Sequence, residues 1–452
     1  MSERFDGARV LVVGAGVAGL AAATALQRQG ADVRVTESRP AEEIANRGEL
    51  RAMGVQVLAG GHEPAHLEGA TLVVTGPGIP EHAPVLEWAR DRGIPVWGEM
   101  ELGARLCDVP YVAVTGTNGK TTVTGMVASC LRAAGLDAVA CGNVGHAFPL
   151  AALEEHDALV VECSSFQLRL QTSLHPKVSV LLNLAPDHLD WHGSFEGYAA
   201  SKASIYANQG ADDVHVGSLD DPRAAAISSA APCPVVWTST RDPDEGEVGI
   251  VDGVVVSRVV GSEGSVGPVD ADRAGFAADA AAAAAAALSF GVDADAVRAG
   301  LASFQPQAHR GEVVATVDGV PFIDNSKATN VHAAMAAIER VRHAVLIAGG
   351  RAKGVDLSPL AEAAPNLSAV VAIGEAAPEL LALFEGIVPA SGADSIEAAT
   401  ARAFDLARTH GGPVLLAPAC ASWDQFTGYA ERGDRFAAAA RSLQEVAARG
   451  GA

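Results

Sequence analysis

Short runs of β-branched residues alternate with Ala- and Leu-rich stretches along the chain, a rhythm that predicts a parallel α/β protein. In a first block, Arg9–Val13, Val33–Thr36 and Thr71–Val74 read as strands set between helical stretches. A second block opens at Tyr111 with a strand to Thr115, a glycine turn and a helix through Ala133. Further strands are expected at Val160–Glu162 and Val178–Leu182, followed by a stretch rich in Gly, Asp and Val from Gly217 to Asp270 with a strand at Val254–Val260. The run Ala280–Ala287, flanked by Leu288 and Phe290, reads as a buried helix rather than low complexity, because alanine is the best helix former. A third block begins with a hairpin, Val313–Val317 and Pro321–Ile323, joined through Asp318-Gly319. Strands follow at Ala344–Ala348, Ala369–Ile373 and Val414–Ala417. The pattern predicts three α/β domains, at 1–108, 109–308 and 309–452.

Composition narrows the classes of partner. Across 452 residues the net charge is −22, which argues against nucleic acid, because phosphate backbones reward clustered Lys and Arg. The apolar run Val10–Ala25 is too short to span a bilayer and is broken by Gly14, Gly16 and Gly19, so no membrane insertion is expected. No stretch reads as a signal peptide, and the six cysteines form no CxxC pair, so a cytoplasmic location is expected. Lysine occurs only at Lys120, Lys177, Lys202, Lys327 and Lys353, while arginine carries nearly all other positive charge. A lysine retained against that bias suits tasks arginine cannot do, as a compact charge or a reactive amine.

Candidate chemistry gathers at the strand ends. Gly14-Ala-Gly16-Val-Ala-Gly19 follows a strand and opens a helix, with Glu37-Ser38 about twenty residues on. Such glycines let a backbone approach a pyrophosphate, which serves a nicotinamide dinucleotide or any other nucleotide diphosphate, or they serve close helix packing alone. Gly116-Thr117-Asn118-Gly119-Lys120-Thr121-Thr122 follows the strand Tyr111–Thr115 and precedes a helix. Its amides suit phosphates, Lys120 supplies a point charge and the Thr121 hydroxyl can bind Mg²⁺, although only two residues separate the outer glycines instead of the usual four. Glu162 ends an apolar strand, where a carboxylate is out of place unless it meets a cation. His188 ends the next strand pattern, in Asn183-Leu-Ala-Pro-Asp187-His188, and is a metal ligand or a satisfied loop histidine. In the third block, Asp324-Asn-Ser-Lys327-Ala-Thr329-Asn330, Gly349-Gly-Arg-Ala-Lys353-Gly354 and Ala419-Cys-Ala-Ser422-Trp-Asp424-Gln-Phe426 each follow a strand, with Tyr429 just beyond. Three such ends suggest a crevice for a small anion, with Ser422 alternatively a helix N-cap.

Together these segments resemble the Mur ligase family over essentially the whole chain. Ser326–Asn330 and Ala419–Phe426 are similar to the type that adds D-glutamate to UDP-N-acetylmuramoyl-L-alanine. The resemblance implies an ADP-forming amide ligase of peptidoglycan synthesis, working through an acyl phosphate, with a Rossmann-like N-terminal domain, a P-loop-type central ATPase domain and a Rossmann-like C-terminal domain. Gly14, Gly16, Glu37 and Ser38 would then hold the UDP part, and Asn143 and Ser164 the muramoyl-alanine part. ATP would lie on Gly116 to Thr122, with Arg310 and Lys327 reaching it from the third domain. Two Mg²⁺ ions would be held by Thr121 and Glu162, and by His188 and Lys202. Beside Mg²⁺ and Lys120 an ammonium on Lys202 is repelled, and the resemblance implies that Lys202 carries a CO₂-derived carbamate instead. Thr329, Lys353, Ser422 and Tyr429 would hold D-glutamate, with Lys120, His188, Lys202 and Lys353 as catalytic residues. A monomer acting on these small molecules is expected.

Some positions depart from the family pattern. Phe276 and Asp279 stand where the central domain usually has two asparagines near ATP, Ala308 stands where Pro precedes His309-Arg310, and Asp324-Asn325 is swapped. These departures keep two alternatives in play: a paralogue joining another amino acid, and a nucleotide-binding protein whose activity has decayed.

Overall fold

The computed structural model describes residues 5–268, 276–305 and 307–450, with backbone alone at 268 and 446–450. Residues 1–4 and 451–452 of the expected outer domains, and 269–270 at the end of the Gly-, Asp- and Val-rich stretch, lie outside them. The chain divides into two compact units, Met1–Leu184 with Glu196–Phe304, and Ala185–Phe195 with Gln305–Ala452.

The first unit holds two sheets. Strands β1 (Arg9–Val13), β2 (Asp32–Glu37), β3 (Gln56–Ala59), β4 (Leu72–Thr75) and β5 (Val96–Gly98) form a parallel sheet in the order β3-β2-β1-β4-β5. The chain order reverses between β1 and β4, which opens a crevice beyond the Gly14 turn. The second sheet comprises β6 (Tyr111–Thr115), β7 (Ala138–Gly142), β8 (Ala158–Glu162), β9 (Val178–Leu181), β10 (Val214–Ser218), β11 (Val235–Thr238), β12 (Glu247–Val251), β13 (Val254–Ser257) and β14 (Gly264–Pro268). Their order is β14-β13-β12-β11-β10-β9-β6-β8-β7, parallel from β12 to β7 and antiparallel at the β12-β13-β14 edge. Strand β6 therefore lies between β8 and β9, so the segments leaving all three emerge side by side.

Residues Val112, Val114, Val160, Val178 and Val180 are fully buried, and the alanines 280–287 pack into the same core. Each such valine contributes roughly 1.5–3 kcal/mol by leaving water. The alanine run falls within the helix Ala277–Phe290, as expected. At Gly300, in the helix Ala294–Ser303, a Cβ would collide with the backbone of Cys130 in the helix Lys120–Ala133. Substitution there would force apart the two helices, one of which starts at the phosphate loop.

The second unit is built on β15 (Glu312–Val317), β16 (Val320–Asp324), β17 (Ala344–Gly349), β18 (Leu367–Ile373), β19 (Ala390–Gly392) and β20 (Val414–Ala419), ordered β15-β16-β20-β17-β18-β19. The β15-β16 pair is antiparallel and the rest are parallel. The hairpin turns through Asp318 (φ 48°) and Gly319 (φ 82°), the left-handed pair that a two-residue turn matching strand twist requires. Inserting β20 between β16 and β17 brings three loop-bearing strand ends together. Three expected strands lose residues at their ends: Thr71–Val74 is observed one residue on, at Leu72–Thr75, Val178–Leu182 ends at Leu181, and Val254–Val260 ends at Ser257.

Candidate active site

The glycine turn after β1 forms as a phosphate-type loop would. Gly14 takes φ 95°, and a Cβ on Gly19 would collide with the Gly14 carbonyl, so this close helix–strand approach needs a bare glycine. Gly16 precedes the helix Val17–Arg28. Glu37, at the end of β2, accepts the Ala15 amide at 2.8 Å, the Ser38 hydroxyl at 3.2 Å and the Arg39 guanidinium at 3.2 and 3.0 Å. Burial alone would raise this carboxyl, but Arg39 and the Ala15 amide outweigh it and hold it down to about 2. Gly14, Gly16, Glu37 and Ser38 thus share one crevice, with Glu37 ionised.

The loop after β6 is stitched from both sides. Asn183, two residues past β9, accepts the Asn118 amide at 2.8 Å through its side chain and returns a bond to the Asn118 carbonyl at 3.2 Å. The Thr117 amide reaches the Asn183 carbonyl at 2.9 Å, and the Thr117 hydroxyl meets the Tyr198 hydroxyl at 2.9 Å. Gly119 takes φ 83° at the start of the helix Lys120–Ala133, and a Cβ there would collide with the Asp279 carboxylate. Lys120 Nζ donates to the carbonyls of Gly116 and Thr117 at 2.9 and 2.8 Å, and Lys202 Nζ donates to Gly116 at 2.7 Å and to Thr115 Oγ1 at 3.5 Å. Two ammonium groups on one carbonyl repel each other, and an anion over the loop would relieve both. Thr121 and Thr122 are buried within the first helical turn.

At the end of the neighbouring strand β8, Glu162 is 2% exposed. Its Oε1 accepts the Asn143 side chain at 2.9 Å, and its Oε2 has no hydrogen-bond partner among the described residues. A buried carboxylate oxygen left without a donor is costly unless a cation meets it, so Glu162 fits a divalent ion. Asn143 also donates its amide to the Glu162 carbonyl at 2.9 Å. Ser164 sits just past Glu162 in a reciprocal cap with Gln167, whose side chain continues to Glu99 at 2.6 Å.

The second unit carries the remaining candidates. His188 takes φ 53°, and its amide donates to the Asp187 carboxylate at 3.0 Å. The Gly311 amide reaches the Asp324 carbonyl at 2.7 Å and the Lys327 amide reaches the His309 carbonyl at 3.2 Å, which sets Arg310 and Lys327 on adjoining segments. Lys327 Nζ lies 3.8 Å from the centroid of the Tyr429 ring, so Tyr429 groups with Lys327. The Ala419 amide binds the Ala328 carbonyl at 2.9 Å, and Arg351 pairs with Ala421 in both directions, which joins the loops bearing Thr329, Lys353 and Ser422. Ser422 is 2% exposed and precedes a turn, with the next helix starting only at Tyr429, so it is not that helix's N-cap. His309, Glu312 and Asp324 also bring ligand-type atoms within 4.8 Å, but Asp324 is committed to His309 Nδ1 at 2.7 Å and the Ser326 amide at 2.9 Å.

Residues 8–98 match the family description "Mur ligase MurD-like, N-terminal domain", 114–252 match "Mur ligase middle domain", and 309–420 match "Mur ligase, glutamate ligase domain". The chain belongs to the Mur ligase family. A UDP-N-acetylmuramoylalanine–D-glutamate ligase of Streptomyces coelicolor is 41% identical over 98% of this chain and 100% of its own length. Another so named, from Frankia casuarinae, is 43% identical over 98% of this chain and 96% of its own. Among solved structures, UDP-N-acetylmuramate-alanine ligase from Thermotoga maritima superposes with TM-score 0.60 at 18% identity, covering 96% of this chain and 99% of its own. MurF from Acinetobacter baumannii gives TM-score 0.60 at 18% identity, over 97% and 93%. At that identity the structures show the shared three-domain α/β fold.

In this Mur ligase, several residues that shape the loops carry no motif signal. Asn183 and Tyr198 hold the phosphate loop, yet a single asparagine or tyrosine after a strand is unremarkable in sequence. Arg432 is fully buried and binds the Ser326 hydroxyl and carbonyl at 3.0 and 2.9 Å, the Cys420 carbonyl at 3.2 Å and the Gly349 carbonyl at 3.5 Å. Burial lowers its guanidinium to about 10. An arginine this deep was findable only as one charge on an otherwise apolar helix face. Phe276 packs against the central core, and Asp279 abuts Gly119.

Proposed function

We propose that the chain is an ATP-dependent ligase that joins D-glutamate to UDP-N-acetylmuramoyl-L-alanine, releasing ADP and phosphate, in peptidoglycan precursor synthesis. The observation that carries this reading is the pairing, beyond neighbouring strands β6 and β8, of a lysine-bearing phosphate loop with a buried carboxylate oxygen that lacks a donor among the described residues. Full-length similarity to relatives of that name supports the choice of substrates.

The proposed division of labour has residues 1–108 binding the UDP moiety, 109–308 binding ATP and 309–452 binding the amino acid. An alanyl carboxylate oxygen attacks the γ-phosphorus, ADP departs, and the D-glutamate amine then attacks the acyl carbon, expelling phosphate and losing its proton. Gly116 to Thr122 cradle the phosphates, and Lys120 turns its ammonium from the loop carbonyls to the transferring group. Gly14 and Gly16, at the turn after β1, and Glu37 and Ser38, at the end of β2, hold the nucleotide of the substrate, while Asn143 and Ser164 orient the muramoyl-alanine. Arg310 and Lys327 are assigned to ATP, and Thr329, Lys353, Ser422 and Tyr429 to D-glutamate. Thr121 and Glu162 would hold one Mg²⁺, and His188 with a carbamate on Lys202 a second. When bound, these ions neutralise charge that would otherwise keep a carboxylate and a triphosphate apart. A carbamate on Lys202 retains one N–H, so the bond to Gly116 survives the modification.

No helix among the described residues is long and apolar enough to cross a membrane, and a monomeric cytoplasmic enzyme is proposed. The test is a coupled assay in which purified protein, UDP-N-acetylmuramoyl-L-alanine, D-glutamate, ATP and Mg²⁺ release ADP and phosphate only when all are present. ADP release that ignores D-glutamate would discard this substrate, and a panel of amino acids would then expose a paralogue.

A further inference from the structure

Lys353 Nζ lies 2.6 Å from Asp187 Oδ1 within the second unit, and both side chains are close to nine-tenths buried, at 13% and 9% exposure. Asp187 Oδ2 also receives the Asn330 side chain at 3.4 Å, and Asn330 caps the helix Val331–Ile338 directly after Thr329. The pair therefore stands among Thr329 and Lys353, two of the residues assigned to the amino acid. Lys353 holds a left-handed backbone, φ 59°, between Gly350 (φ 119°) and Gly354 (φ 71°), a conformation that costs a non-glycine residue energy and fixes the aim of its ammonium.

The donors assigned to the amino acid account for its carboxylates but leave its ammonium group without a partner. Thr329, Lys353, Ser422 and Tyr429 are cations or hydroxyls. Asp187 is the carboxylate that the second unit places in contact with one of them. A buried carboxylate facing a buried ammonium is also the electrostatic complement of a zwitterion. D-glutamate can insert by offering one carboxylate to Lys353 and its ammonium to Asp187, exchanging one ion pair for two, while its second carboxylate falls to the hydroxyls of Thr329, Ser422 and Tyr429. A dicarboxylic acid without the amine would meet Lys353 but would press its own negative charge on Asp187.

We infer that Asp187 is a substrate-binding residue that docks the ammonium group of the incoming amino acid, so that the Asp187–Lys353 pair selects zwitterions over simple diacids. The inference rests on the reading that Lys353 holds a carboxylate of D-glutamate.

The experiment compares D-glutamate with glutarate, which keeps both carboxylates and lacks the amine, in wild-type enzyme and Asp187→Asn. Wild-type turnover of D-glutamate is measured first, and its failure would discard the substrate reading whatever the variant does. Given that turnover, Asp187→Asn should raise KM for D-glutamate at least ~30-fold, as loss of one member of a buried charge pair does. The inhibition constant of glutarate should change less than threefold or improve. Equal weakening of both ligands would mean that Asp187 only orients Lys353, and an unchanged KM for D-glutamate would mean that it does not meet the amine; either overturns the inference. Wild-type enzyme with D-2-hydroxyglutarate gives a second reading that needs no variant. It should bind weaker than D-glutamate by a factor similar to the Asp187→Asn effect, and equal affinity would overturn the inference as well.

Discussion

Lys202 donates a hydrogen bond to the carbonyl oxygen of Gly116 over 2.7 Å, from a side chain that is 2% exposed. The phosphate loop is thus held by a group that the proposed chemistry also uses, and position and reactivity can be separated experimentally. Lys202→Ala should lower kcat at least ~100-fold, the order lost with one group that stabilises transition-state charge. Short carboxylic acids such as acetate, supplied at millimolar concentration, should restore part of that loss by replacing the carbamate oxygens. Full activity in the variant, or a loss that no carboxylic acid relieves while the melting temperature is unchanged, would remove the carbamate from the mechanism.

Asn183 clasps the same loop by two side-chain bonds to Asn118. Each is worth about 1 kcal/mol net, so Asn183→Ala should raise KM for ATP roughly 10- to 30-fold by loosening the turn. KM for the amino acid should stay within twofold. Steady-state kinetics with each substrate varied in turn separates the two, and a uniform fall in kcat alone would show that the loop does not depend on this clasp.

Glu99 sits fully buried against Gln167, and burial raises its carboxyl from 4.5 to about 7, with Oε2 lacking a partner among the described residues. Between those values the folded protein keeps a proton that the unfolded chain has released. Stability therefore falls as pH rises through that window, and the stabilising proton is fully lost above about 7. Glu99→Gln cannot ionise, so its melting temperature should exceed that of wild type most at pH 8, with the gap closing toward pH 4.5. Thermal unfolding across that range checks the slope, and a gap independent of pH would mean that Glu99 is not the titrating group.

How much of this was legible in the sequence depends on whether the chain's local chemistry or its folding decided the feature. The phosphate loop, the β15–β16 turn and the alanine helix were readable because glycine at a positive φ, Asp-Gly in a hairpin and alanine in a helix are local preferences. Glu162 was readable as an anomaly, a carboxylate closing an apolar strand. Asn183, Tyr198 and Arg432 were not, since their partners lie 65, 81 and up to 106 residues away. Nor does the sequence mark Ala185–Phe195, with Asp187 and His188, as part of the second unit, since it continues directly from β9. No composition shift marks the segment, and its ties to Lys353 and Asn330 reach across more than 140 residues.

Arg432 offers the sharpest test of how the second unit holds its loops. Its guanidinium reaches Ser326 beyond β16, Gly349 at the end of β17 and Cys420 beyond β20, the three segments that lead to Thr329, Lys353 and Ser422. Arg432→Met fills similar volume but leaves those carbonyls without a donor in a site that water does not reach, which should cost about 3 kcal/mol. For a unit of this size that corresponds to a fall in melting temperature of roughly 6–12 °C. Arg432→Lys keeps the charge without the planar fork and should recover less than half of the loss. Because the loops loosen together, KM for D-glutamate should rise more than KM for UDP-N-acetylmuramoyl-L-alanine in both variants at 20 °C. A melting temperature within 2 °C of wild type, or equal effects on the two Michaelis constants, would show that packing of the helix Tyr429–Gly450, and not the arginine's fork, sets these loops.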